Sequence, residues 1–346
     1  MKIAIVTDTH HGARGDSQAM LNYQKKFFDD IFFPTLKEQG ITHIVHMGDI
    51  VDRRTSINFN TVKHLREDFL DPLFANGMTM DVICGNHDVY YKSTNTVNAF
   101  DSIFGDYRDI ITTYIDAQHN SQTGALYLPW INKENEQASY DALINSEARF
   151  VFGHLEINGF EMMRGHTCDH GILKSTFQGF EAVFSGHFHH KSSQGNIHYL
   201  GAPYEMTWSD YDSSRGFHLF DTETGDIEFI QNPYNLFVKI IYRGTSKGLR
   251  TEGLEGAYIK VVVDEKNDPY EFDKYIERLE SGLPSDIKIV EAITQDTNDE
   301  IISQVDDTQT ILANTIDKLD VEVDKNKLKQ LLNDLYTEAL DIERDA

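Results

Sequence analysis

The chain is poor in cysteine, tryptophan, positive charge and long apolar runs. Two cysteines, Cys84 and Cys168, in 346 residues cannot make a disulfide framework and point to a reducing compartment. No run approaches the roughly 18 apolar residues of a membrane helix. The opening MKIAIVTDTHHG turns polar after four apolar positions, which suits a first strand rather than a signal peptide. A soluble, cytoplasmic protein with no membrane partner is expected. Lys and Arg number 31 against 56 Asp and Glu, for a net charge of −25. Such acidity argues against a simple nucleic-acid binder, whose surface is normally basic. The acid is uneven, however: residues 291–346 hold 15 Asp and Glu against 5 Lys and Arg. Bound divalent metals would offset part of the rest. There is no GxxxxGK[ST] phosphate loop, so any ATP hydrolysis must come from a partner.

Hydrophobic residues make up 40% of the chain and aromatics 11%, enough for one large domain and an accessory one. Residues 2–7, 43–47 and 80–84 read as buried strands. Between them, 20–38 and 60–75 have helical spacing, with Phe27, Ile31, Phe32 and Leu36 on one side of the first. This β-α-β-α-β rhythm predicts a parallel sheet, whose ligands bind beyond the carboxyl ends of the strands. Two further apolar runs, 148–153 and 180–186, end in Gly-His. Residues 216–222 and 226–231 read as a hairpin through Thr224-Gly225-Asp226. With 236–242 they are expected to form a second, more antiparallel sheet on the same core.

Five short blocks follow these apolar runs: Asp8-Thr9-His10, Gly48-Asp49, Gly85-Asn86-His87-Asp88, Gly153-His154 and Gly186-His187-Phe188-His189. Each alone is commonplace, and a lone histidine is more often a satisfied polar residue than a ligand. Together, each at a strand end, they supply a full donor set for two metal ions. Alternation along an extended segment would turn Asp8 and His10 to one side, and likewise His187 and His189. Asp49 can bridge two ions, and Asn86 offers a neutral oxygen. Nitrogen and oxygen donors without thiolates favour Mn²⁺, Fe²⁺ or Zn²⁺ over Ca²⁺. Two ions about 3.5–4 Å apart would drive in-line displacement at phosphorus. His87 is placed to stabilise or protonate the leaving oxygen, with Asp88 orienting its ring.

The five blocks, in this order over about residues 1–220, resemble the calcineurin-like metallophosphoesterase superfamily. GNHDVYYK, FGHLEINGF, SGHFH, GAPYEMTW and RGFHLFDTETG resemble, within it, the SbcD-type DNA-repair nucleases in their compact phage form. The resemblance implies an α/β fold: a two-sheet sandwich with flanking helices, a small β-α-β cap and C-terminal helices. It implies that Asp8, His10, Asp49 and His189 hold one Mn²⁺, and Asp49, Asn86, His154 and His187 the other, with Fe²⁺, Zn²⁺ or Mg²⁺ as substitutes. His87 would be catalytic beside Asp88. The implied activity is 3′-to-5′ exonuclease on duplex ends and single-strand endonuclease, in double-strand break processing and recombination. The implied partners are DNA, an SbcC-type ATPase and a second copy of the chain through the helices at 20–38 and 60–75. A phage-encoded chain would act in the host cytoplasm. Family members often carry a histidine shortly after the bridging aspartate; Asp52 and Arg53 stand there, leaving Arg53 or Arg54 to orient phosphate.

The domain reading is 1–242 for the nuclease, 243–294 for a DNA-facing cap and 295–346 for a linker and ATPase-docking helices. The break at Arg243–Gly256 is rich in glycine and charge. The cap reads as strand, helix 269–280, strand. Residues 308–319 and 325–342 have helical apolar spacing; they either dock a partner or pack on their own domain. Two other functions stay open. Gly48-Asp-Ile-Val-Asp-Arg53 resembles a phosphoprotein phosphatase motif, and cyclic-nucleotide phosphodiesterases share the scaffold. A non-catalytic scaffold that recruits the ATPase is the third reading. His166, Cys168 and His170 read as polar surface near the site rather than as a zinc site.

Overall fold

The computed structural model describes residues 1–163, 166–265 and 268–291, together with Ile316, Lys325 and Leu328. It divides into two compact units: Met1–Met206 with Asp212–Tyr234, and Thr207–Tyr211 with Asn235–Ala346.

The first unit carries β1 (Lys2–Val6), β2 (His43–His46), β3 (Thr79–Ile83), β4 (Ile111–Tyr114), β5 (Gln118–Asn120), β6 (Ala125–Leu128) and β7 (Phe150–His154). It continues with a small hairpin, β8 (Glu161–Met163) and β9 (His166–Thr167), then β10 (Ala182–Gly186), β11 (Ser192–Gln194), β12 (Ile197–Tyr199), β13 (Gly216–Asp221) and β14 (Ile227–Gln231). One sheet runs β14-β13-β1-β2-β3-β4 and the other β11-β12-β10-β7-β6-β5. β1 to β4 are parallel, as are β12, β10, β7 and β6; antiparallel strands occupy the flanks.

The sheets face each other. Side chains alternate along a strand, so Ile3 and Ile5 of β1 meet Phe150 and Phe152 of β7 and Phe184 of β10 in one core. Phe220 of β13 sits edge-on to Phe150 and Phe152, with ring centroids 5.0 and 5.5 Å away. Helices cover the outer faces, so the central strands are apolar on both sides and read as continuous runs.

The helix expected at 20–38 spans 18–39, and its middle, Phe28–Phe32, widens into a π-helical turn. A second such turn, Leu65–Leu70, lies inside the helix 59–75. Phe28 and Phe69 meet there at 4.7 Å between ring centroids. Phe27, Phe32, Leu36, Leu65, Phe69 and Leu73 are all fully buried in this chain's own core. These six side chains are committed to the chain's own core; the large apolar side chains that these helices leave exposed are Phe59 and Phe74.

Three expectations need correcting. The hairpin β13-β14 does form, but it extends the first sheet by pairing with β1 rather than founding another. The strand at 236–242 does not belong to either sheet of the first unit. As β15 (Phe237–Arg243) it pairs in parallel with β16 (Tyr258–Glu265), which pairs with β17 (Asp286–Glu291) in the second unit. The boundary therefore falls at Tyr234 and not at 242, because apolar Val238, Ile240 and Tyr242 pack in the second unit's own core.

In the second unit the helix Pro269–Glu280 buries Phe272, Tyr275 and Leu279 with Ile259 and Val261. Its start is set by Asp268, whose carboxylate accepts from Tyr270 N at 2.9 Å, and by Pro269 at the first position. The segment 295–346, read as linker and docking helices, lies outside the described residues apart from helical Ile316, Lys325 and Leu328. Among the described residues no helix is long and apolar enough to cross a membrane.

Candidate metal centre

The site forms where the carboxyl ends of strands from both sheets meet. β1 leads to Asp8 and His10, β2 to Asp49, β3 to Asn86, His87 and Asp88, β7 ends in His154, and β10 leads to His187 and His189. All seven expected ligands converge. Asp8 Oδ1 lies 4.0 Å from Nε2 of both His10 and His189, whose Nε2 atoms are 3.1 Å apart. His10 Nε2 is 3.6 Å from Asp49 Oδ2, which lies 3.2 Å from His154 Nε2. Asn86 Oδ1 closes the chain of contacts, 2.9 Å from His154 Nε2 and 2.7 Å from His187 Nδ1. The donors fall into three groups: Asp8, His10 and His189 at one end, Asp49, His154 and His187 at the other, and His10, Asp49 and His87 linking them.

The means of convergence differs from the expected alternation. Asp8, His10, Asp49 and His187 have φ of 54°, 39°, 55° and 83°. This left-handed region is unfavourable for side-chain-bearing residues and recurs at functional sites. β1, β2 and β10 are thus followed by a kink that turns their donors inward, whereas His154 is still part of β7. His11 is packed away, stacked on Phe28 at 5.9 Å, with Nδ1 donating to the Ile50 carbonyl.

Glycines make room for the ligands. A Cβ on Gly85 would lie 2.2 Å from Asp49 Oδ1, and one on Gly186 would lie 2.1 Å from Thr7 Oγ1 and 2.9 Å from Asp8 Oδ2. Neither position tolerates a side chain without moving a carboxylate.

The outer contacts hold the rings. His154 Nδ1 donates to the Met47 carbonyl at 2.9 Å. His10 Nδ1 lies 3.4 Å from Asp52 Oδ1, and His187 Nε2 lies 3.2 Å from Glu156 Oε1. Such carboxylate–imidazole pairs orient metal-binding histidines and raise their basicity. Arg215 fastens the His189 carbonyl through Nη1. Asp52, Glu156 and Arg215 had no such role in the sequence reading. Glu156 sits two residues after His154, and a carboxylate so close to a Gly-His block was the signal available. Arg53 pairs with Asp16 at 3.4 Å.

His87 and Asp88 need a correction of role. Asp88 does not orient the His87 ring. Its carboxylate accepts from the amides of Gly85, Asp49 and Ile50 at 2.8, 2.9 and 2.9 Å, tying the turns after β2 and β3 together. The ring is held instead by Asp52, whose carbonyl accepts from His87 Nδ1 at 2.6 Å. The His87 amide donates to Asp49 Oδ1 at 2.7 Å. Burial lowers the His87 pKa to about 4, and burial, with Asp49 nearby, raises that of Asp88 to about 6. The region of His166, Cys168 and His170 is not simply polar surface, since Cys168 is buried in the core beyond the second sheet.

The donor set fits divalent metal ions. With Nδ1–H given to Met47, a neutral His154 points the Nε2 lone pair at Asn86 Oδ1 and Asp49 Oδ2, which are acceptors too. A pocket of facing lone pairs needs a cation. Without a metal the cation must be a proton: burial opposes it, yet Asp49 raises the His154 pKa to about 9. Asp49 itself is held well below the usual carboxylate range against its burial, chiefly by His154. Burial pushes Asp8 upward, so its charge too waits for a cation.

A strand-end centre of this composition on two facing sheets defines a phosphoesterase, and the chain belongs to the calcineurin-like phosphoesterases: that family's model matches residues 1–191. The chain is 30% identical over 346 residues to Exonuclease subunit 1 of Enterobacteria phage T4, covering 98% of this chain and 99% of that protein. Among solved structures, an archaeal phosphodiesterase is 12% identical with a TM-score of 0.33, over 67% of this chain and 100% of that one. A dimetal phosphatase from Danio rerio is 12% identical with a TM-score of 0.35, over 63% and 91%.

Proposed function

We propose that the chain is a Mn²⁺-dependent DNA nuclease subunit, acting as a 3′-to-5′ exonuclease on duplex ends and as a single-strand endonuclease. One observation carries the reading: seven donors from five strand ends meet in one largely buried cluster. The relative that spans nearly the full length is named an exonuclease subunit, which supports DNA as substrate and an assembly as the working form. The partner in this reading is an SbcC-type ATPase, docked by residues 295–346. Exposed Phe59 and Phe74 suit pairing with a second copy of the chain. The setting is a host cytoplasm.

Asp8, His10, Asp49 and His189 would hold one ion, and Asp49, Asn86, His154 and His187 the other. Two bound ions supply Lewis acidity to water and to the phosphoryl oxygens. Asp49 stands between the two groups of ligands and sets their spacing. Asp52 and Glu156 keep the His10 and His187 rings aimed inward. His87, fixed by the Asp52 carbonyl, is the group placed to exchange a proton with the leaving oxygen, while Asp88 keeps the turn that presents it. A phosphatase that grips phosphate through Arg53 is less well supported, because that guanidinium faces Asp16.

The test is cleavage of linear duplex and single-stranded DNA by the pure chain with Mn²⁺, beside a phosphopeptide. DNA cleavage that His87→Asn abolishes supports the reading. Phosphopeptide hydrolysis without DNA cleavage defeats it.

A further inference from the structure

A cleft of about 220 Å³ adjoins the metal centre, lined by Trp130, Ile131, Glu136, Tyr140, Glu156 and Ile172 among others. It shares a wall with the site. The Trp130 ring lies 5.2 Å from the His187 ring, and Glu156 touches His187 Nε2 at 3.2 Å. Its far side is the helix Glu136–Asn145, which brings Glu136 and Tyr140 to the opening.

The lining is selective in a simple way. Two aromatic rings and Ile131 and Ile172 suit a flat, largely apolar ligand. Glu136 and Glu156 repel a second phosphate and accept hydrogen bonds from N–H groups. Trp130 Nε1 is a buried donor without an acceptor among the described residues, so this wall has hydrogen-bonding capacity left over. The volume is below the usual range of about 300–1,000 Å³ for drug-sized ligands; it suits one ring system and not a whole nucleotide.

We propose that this cleft is a nucleobase subsite that receives the base of the nucleotide next to the scissile phosphate. The proposal rests on the nuclease reading above. With a phosphodiester at the metal centre, the adjoining nucleotide lies within reach of a cleft that begins at His187. Stacking on Trp130 and Tyr140 anchors the strand without basic side chains, which is how an acidic chain can hold DNA locally. The carboxylates favour bases with exocyclic amines (adenine, cytosine and guanine) over thymine.

The experiment uses the full chain with Mn²⁺ and single-stranded oligonucleotides of one sequence. An abasic residue is moved through each position around the preferred cut, and kcat/KM is measured. Abasic substitution at one position beside the cut is expected to lower kcat/KM about tenfold, the scale of one base–aromatic stack. Tyr140→Ala is expected to erase that difference and Tyr140→Phe to keep it; each comparison lies within one variant, so a general loss of activity cancels. Equal cleavage of all abasic substrates overturns the subsite, and so does a full abasic penalty in Tyr140→Ala. Three bound Mn²⁺ per chain, falling to two in Glu136→Gln, assigns the cleft to a cation and also overturns it. If the unaltered chain cuts none of the oligonucleotides, the nuclease reading itself has failed, and the subsite with it.

Discussion

The two sheets contribute differently to the centre. The first, through β1, β2 and β3, brings both carboxylates and the amide, along with His10. The second, through β7 and β10, brings only imidazoles. Carboxylate and amide oxygens sit on one side and imidazole nitrogens face them, lone pair to lone pair, so the apposed sheets need a cation between them. The facing ends also need empty space, which Gly85 and Gly186 provide. The site therefore depends on the approach of two sheets as much as on its ligands.

The largest break in that pairing is Asp49→Asn. It removes the carboxylate that the two proposed ligand sets share; activity should fall by about a thousandfold, and metal analysis should find less than one tightly held Mn²⁺ per chain. Next is Gly186→Ala, which forces a methyl group between β10 and Asp8. It should cost about 3 kcal/mol of stability by denaturant titration and lose metal as well. Asp88→Asn comes third. It places an amide NH₂ against backbone N–H groups and should destabilise the turns by about 2 kcal/mol, measured the same way.

Glu156→Gln and Asp52→Asn sharpen the comparison, because one supports a second-sheet histidine and the other a first-sheet histidine. Each should weaken Mn²⁺ binding by about 10- to 100-fold by calorimetric titration. If only one does, the sheets differ in how they hold their rings.

The smallest expected effect lies on β13, one strand in from the edge of the first sheet. Burial lowers the His218 pKa to about 3, with Lys191 adding to the shift. A histidine depressed below its unfolded value binds fewer protons when folded. Its contribution is complete above about pH 6.5 and is lost as the pH falls toward the folded value. His218→Phe should remove about 1 kcal/mol of the stability lost between about pH 6.5 and 5, read from unfolding curves at the two pH values.

Much of the site was legible because each ligand follows a strand whose apolar run is visible. Asp8, Asp49 and Asn86 could be placed at carboxyl ends from pattern alone. The kinks could not: nothing local in Asp8-Thr9-His10 distinguishes extended backbone from the observed positive φ values. The partners of Glu156 and Asp52 could not be read, because His187 and His10 lie 31 and 42 residues away in sequence; nearness to a Gly-His block was the one local sign that Glu156 offered. The helix Glu136–Asn145 was missed because it buries only Ser139 and Leu143, too few for a stripe. The strand Phe237–Arg243 was assigned to the wrong unit because an apolar run states that it is buried, not against what.

By itself the sequence determined the donors, their order and the strands that carry them, since apolar periodicity and residue chemistry are local properties. Only the tertiary structure decided which carboxylate meets which ring, which amides Asp88 accepts, and that Trp130 and Tyr140 flank one cleft. Those contacts join segments far apart along the chain, and their distances follow from how two sheets pack, which no single segment encodes.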